Sequence, residues 1–117
     1  MDDATFKTTV FHTGDSITLA VTGELDLLTA EELRQSVSRC LAKKIRRLVM
    51  DLRQVTFCDC SGVNALLWTR RQARATGVDF VLTGVTAPRV AQVLRLTGTS
   101  VLFDLDLRSR RRISGSC

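Results

Sequence analysis

Val55-Thr56-Phe57-Cys58-Asp59-Cys60-Ser61-Gly62-Val63-Asn64-Ala65-Leu66-Leu67 decides how this chain reads, because an extended apolar run passes into a helical spacing through the four residues Asp59 to Gly62. Thr56 and Phe57 close the extended part, and Val63, Leu66 and Leu67 open an i, i+3, i+4 pattern. The turn between them therefore lies at a helix N-terminus, where backbone N–H groups lack intrahelical partners and the helix dipole is positive. Such a place attracts an anion without a dedicated pocket. Two reactive groups are offered there, the Ser61 hydroxyl and the Cys60 thiol.

N-terminal to this turn, residues 5–11 and 16–22 read as two strands around the turn-like cluster His12-Thr13-Gly14-Asp15, with Ile17, Leu19 and Val21 alternating toward one face. Thr29 with Glu32 three residues on reads as a capping box opening a first helix. Leu33, Val37, Cys40 and Leu41 form its apolar stripe, and Lys43-Lys44 closes it, where cations suit the dipole. Arg47–Leu52 is a short apolar run feeding the Asp59 turn, and the helix after that turn extends to about Ala75, ended by Gly77. Phe80-Val81-Leu82 reads as a fourth strand. Pro88 opens a third helix with Val90, Val93, Leu94 and Leu96 inward and Gly98 as its stop, and Val101-Leu102-Phe103 reads as a last strand. An opening hairpin followed by β-α repeats implies an α/β fold, a mixed sheet with helices packed against it.

At 117 residues and 44% hydrophobic content the chain suits one domain with a single core. No apolar run approaches the length that spans a bilayer, and Asp2 and Asp3 stand where a signal peptide would carry basic residues. The expectation is a cytoplasmic protein with no membrane partner, in which Cys40, Cys58, Cys60 and Cys117 are thiols. The net charge of +5 suggests nucleic acid until Arg108, Arg110, Arg111 and Arg112 are set aside, which leaves +1 over residues 1–107. That division gives one domain over 1–107 and a basic, disordered tail over 108–117, read as solvated rather than nucleic-acid binding. Cys58 and Cys60 make a Cys-x-Cys pair without the further ligands zinc requires, so no metal and no cofactor are expected. There is no Gly-rich phosphate loop and no Cys with a sequence-evident His base, so the chain does not read as an enzyme.

Over residues 5–105 the chain resembles the STAS domain family, and in particular the small bacterial anti-sigma factor antagonists. The resemblance rests on Thr22-Gly23-Glu24-Leu25-Asp26 with Thr29-Ala30, on Leu48–Leu52 leading into Asp59-Cys60-Ser61-Gly62, and on Ala87-Pro88 through Leu96-Thr97-Gly98, in that order and spacing. It implies a STAS-like sheet with the turns after Gly23 and after Asp59 at one end. It also implies a protein that binds an anti-sigma factor of histidine-kinase-like ATPase fold and so releases a sigma factor. Asp26, Thr29, Asp59, Cys60, Ser61, Gly62 and Asn64 are the residues expected at that partner surface. In the family the first Ser or Thr after the Asp takes phosphate from the partner kinase. Here that position is Cys60, so the phospho-switch is expected to be lost or altered, with Ser61 as a substitute acceptor only by a further assumption.

Each of these residues also has a plainer reading. Cys60 is either a small helix-start residue or a thiolate activated by the helix N-terminus. Asp59 caps the helix, helps orient a nucleotide-bound metal of a partner kinase, or does both. Ser61 reads first as a hydrogen-bonding residue of the first turn. Trp68 is either packed or a partner contact. The alternative to an antagonist is a scaffold STAS subunit that forms homo- or hetero-oligomers within a larger signalling assembly.

Overall fold

The hairpin and the β-α repeats expected from the sequence are present in the computed structural model, which describes residues 6–96. Strands β1 (Lys7–Thr13) and β2 (Ser16–Leu25) lead into helix α1 (Leu27–Leu41). Strand β3 (Arg47–Cys58), helix α2 (Cys60–Ala75), strand β4 (Asp79–Thr83) and helix α3 (Pro88–Leu96) complete the order. The four strands form one mixed sheet in the order β1-β2-β3-β4, the first pair antiparallel and the other two parallel.

The hairpin closes more tightly than the sequence suggested, since Thr13 pairs with Ser16 and only Gly14 and Asp15 remain in the turn. Gly14 takes φ +59 while Asp15 stays at negative φ, the sign pattern of a II′ turn, whose twist suits the flanking strands. Beyond the turn, β2 alternates between buried and half-buried residues, sending Ile17, Leu19 and Val21 to the core. In register beside them Leu48 and Met50 of β3 and Leu82 of β4 face the same way. The stripe Leu33, Val37 and Cys40 of α1 and Val63, Leu66 and Ala73 of α2 close over this face, while Val90 and Leu94 bury α3. The opposite face of the sheet, at Thr18, Ala20, Val49 and Val81, is only half-buried.

Four expectations change. Strand β3 does not stop at Leu52 but runs on to Cys58 as one 12-residue strand. Register shifts against β2 between Ala20 and Thr22 and between Gly23 and Glu24 take up an extra β3 residue at Leu52–Arg53 and another at Thr56, Arg53 and Gln54 stay exposed, and the Asp51 carboxylate accepts the Arg53 amide (2.9 Å). Strand β2 likewise extends to Leu25, so the loop after Gly23 shrinks to Asp26. The first helix is capped by Asp26, not by Thr29. Leu96 is 77% exposed at the end of α3 rather than turned inward, while Val93 is half-buried. Gly98, the strand expected at 101–103 and the tail at 108–117 lie outside the described residues.

The core is continuous from sheet to helices, so removing a central side chain opens a cavity that neighbours cannot fill. Leu66, fully buried on α2, is expected to cost about 2–5 kcal/mol on Leu66→Ala, measured as the loss of unfolding free energy in urea.

Candidate functional site

Parallel pairing places the C-terminal ends of β2 and β3 side by side, with Leu25 opposite Cys58. The Asp59 amide donates to the Leu25 carbonyl (3.1 Å), so the two strand-to-helix turns are joined by the last bond of the ladder. As the family resemblance implied, the turn at Asp26 and the turn at Asp59 share one end of the sheet.

The two turns are built alike. Each begins with an aspartate in extended conformation, φ −130 for Asp26 and −110 for Asp59, followed at once by helix. Asp26 Oδ1 accepts from the amides of Leu28 (3.1 Å) and Thr29 (3.0 Å); Asp59 Oδ1 accepts from those of Ser61 (2.9 Å) and Gly62 (3.2 Å). A carboxylate at this position satisfies orphan donors and complements the positive end of the dipole. Chiefly the Thr29 amide, against a smaller desolvation penalty and with further help from the Thr29 hydroxyl and the Leu28 amide, holds the Asp26 carboxyl below its ordinary range.

Thr29 completes a capping box from the third helical position. Its hydroxyl donates to the Glu24 carbonyl (2.6 Å) and accepts from the Asp26 amide (2.9 Å), so it is spent within the turn. Gly62 is buried under the second turn. A Cβ there would come within 2.6 Å of Cys58 Sγ and 3.0 Å of the Leu25 carbonyl oxygen, which is why this helix start needs a glycine. Both residues shape the site from beneath. Cys60 and Asn64 are exposed on α2, one turn apart, while Asp59 and Ser61 are half-buried.

The anion-attracting amides that the sequence suggested are occupied. Ser61 and Gly62 donate to the Asp59 carboxylate and Val63 donates to the Asp59 carbonyl (3.0 Å). The turn thus carries its own negative charge, and a second anion on residue 60 or 61 would stand beside it. The two cysteines of the motif differ sharply. Burial, with smaller contributions from Asp59 and Cys60, pushes the Cys58 thiol up to about 12, leaving it an inert core group, whereas Cys60 is exposed. Trp68 is half-buried against the core. Among the described residues no group of three or more His, Cys, Asp or Glu is placed to hold a metal ion, and no helix is long and apolar enough to cross a membrane.

One feature of the site escaped the apolar pattern. Leu27 and Leu28, the first two residues of α1, are 73% and 81% exposed. The available signal was phase: at about 100° per residue Leu28 lies half a turn from Val37 on the helix circumference.

A family model for the STAS domain matches residues 7–111. The anti-sigma-B factor antagonist of Listeria monocytogenes is 25% identical over 91 residues, covering 78% of this chain and 79% of the relative. Among solved structures, an anti-sigma factor antagonist from Mycobacterium paratuberculosis superposes with TM-score 0.73 at 29% identity, covering 87% of this chain and 86% of that one. The anti-sigma factor antagonist SpoIIAA in its unphosphorylated form superposes at 0.70 and 21% identity, covering 94% and 96%. In its phosphorylated form, where it is described as a Bacillus cell fate determinant, it superposes at 0.63 and 20%, covering 92% and 98%.

Two outcomes test this geometry. Gly62→Ala is expected to lose about 1–3 kcal/mol by overpacking against Cys58 and Leu25, read as a lowered melting temperature. Asp26→Ala is expected to destabilise at neutral pH, with the gap to wild type narrowing as acid protonates the cap. Because the folded carboxyl titrates below its unfolded value of about 3.9, its contribution is complete above that pH and fades as pH falls through the lowered folded value. Urea melts of both proteins between neutral and acid pH check the sign.

Proposed function

The chain belongs to the STAS domain family, and on that premise we propose that it is an anti-sigma factor antagonist, binding an anti-sigma factor of histidine-kinase-like ATPase fold and releasing a sigma factor for transcription. The observation that carries this reading is the junction of two Asp-capped helix starts at one end of the sheet, with Cys60 and Asn64 exposed beside it. The names of the Listeria and Mycobacterium relatives support it. Asp26, Asp59, Cys60, Ser61 and Asn64 form the partner-facing set in this reading, and Thr29 and Gly62 hold the two turns in shape. The protein acts by binding rather than by catalysis, and its site of action is the cytoplasm, where sigma factors work.

Regulation is the point of departure. Cys60 stands where the family pattern has its Ser or Thr phosphoacceptor, and a kinase that phosphorylates hydroxyls does not ordinarily phosphorylate a thiol. The chain therefore binds without being switched off at residue 60. Phosphate on that residue would lie beside the Asp59 carboxylate and push negative charge outward into the contact surface, a physical route to release.

A second reading, a scaffold subunit pairing with other STAS domains, is favoured by one feature. Strand β1 is an edge among the described strands and exposes Val10 by 48% and Phe11 by 56%.

Incubation with ATP and the cognate kinase is expected to leave residue 60 of the wild type unmodified and the complex intact. Cys60→Ser is expected to take up one phosphate and dissociate, and Cys60→Asp to bind at least tenfold more weakly. Intact-mass spectrometry with size-exclusion chromatography reads all three. Phosphate recovered on Ser61 of the wild type would overturn the loss of switching.

A further inference from the structure

Leu27 and Leu28 sit together at the start of α1, where two adjacent and largely exposed leucines make a patch rather than scattered surface apolarity. The backbone beneath them is held firmly. Asp26 Oδ1 accepts from the Leu28 amide, and the Thr29 hydroxyl ties the turn back to the Glu24 carbonyl. The leucines are therefore presented on a preorganised base, which reduces the ordering cost of any contact they make.

The charged residues nearest them along the chain are acidic. Glu31 and Glu32 lie one turn on, each four residues after a leucine, and Glu24 and Asp26 precede the helix. The first cation along α1 is Arg34, whose ion pair is with Glu31 (3.5 Å). An apolar centre with a charged rim is the anatomy of a protein contact.

We infer that Leu27 and Leu28 anchor the partner surface, seating in an apolar depression of a protein whose rim presents Lys or Arg side chains to Glu24, Asp26, Glu31 and Glu32. The identity of that protein as the anti-sigma factor rests on the function proposed above; the chemistry rests on the patch itself. The carboxylates argue against the other occupants. A second copy meeting this face across a two-fold axis would set the same acids against one another, and an anionic lipid surface or a nucleic acid would be repelled.

The test uses the purified full chain and the purified ATPase-type anti-sigma factors of its source organism, titrated in turn by fluorescence anisotropy. With the factor that binds wild type, Leu27→Ser and Leu28→Ser are each expected to weaken binding at least tenfold. Glu31→Lys with Glu32→Lys is expected to slow association and flatten its salt dependence. Thermal melts of the leucine variants should match wild type, because the replaced side chains are exposed. Binding within twofold of wild type in both leucine variants overturns the anchor and leaves the antagonist reading standing. Failure of wild type to bind any of the factors overturns both. A dimer in sedimentation equilibrium that Leu28→Ser dissolves assigns the patch to self-association and overturns the heterologous partner.

Discussion

The parallel pairing of β2 with β3 is the constraint on which the rest depends. It places Leu25 beside Cys58 at the end of the ladder, and the Asp59 amide then finds the Leu25 carbonyl. From that single geometry the starts of α1 and α2 become neighbours, and Gly62 must pass close to Leu25 and Cys58. A parallel arrangement buries its strands under the crossover helices. Ile17, Leu19, Val21, Leu48 and Met50 are accordingly fully buried beneath α1 and α2.

At this junction electrostatics and local backbone demand are met by the same groups. Each helix start needs acceptors for its first amides, and each takes them from an aspartate immediately before it. The consequence is a surface already negative before any modification. Cys58 and Cys60, two residues apart, end on opposite sides of this boundary. One closes the core with its thiol held protonated by burial, and the other opens the helix into solvent. The register shift at Thr56 carries Cys58 inward three residues after buried Val55, and the turn at Asp59 carries Cys60 out.

The elements themselves were legible because their periodicities are clean. The alternation of Ile17, Leu19 and Val21, the stripe Leu33, Val37 and Cys40, and the helix from Cys60 to Ala75 stand where residue spacing placed them. The turn at Asp59 was legible for the same reason, since an extended run and a helical run cannot meet without one. The cap of α1 is ambiguous in the sequence because Asp26 and Thr29 are both good capping residues. Which one leads was settled when β2 continued to Leu25 and left a single residue before the helix. The extra length of β3 was hidden by the exposed polar residues Arg53 and Gln54, which interrupt the apolar run where the strand shifts register against β2.

Sequence by itself determined the alternating strand and helix order, the apolar faces, and the presence of an Asp-Cys-Ser-Gly helix start, because each depends on residues within a few positions of one another. Tertiary structure alone decided that the Asp26 and Asp59 turns touch. It also decided that Gly62 must pass close to Leu25, 37 positions earlier in the chain, as well as to Cys58. Those facts depend on strand register and on where one helix start lies against another, and no local pattern of residue types carries that information.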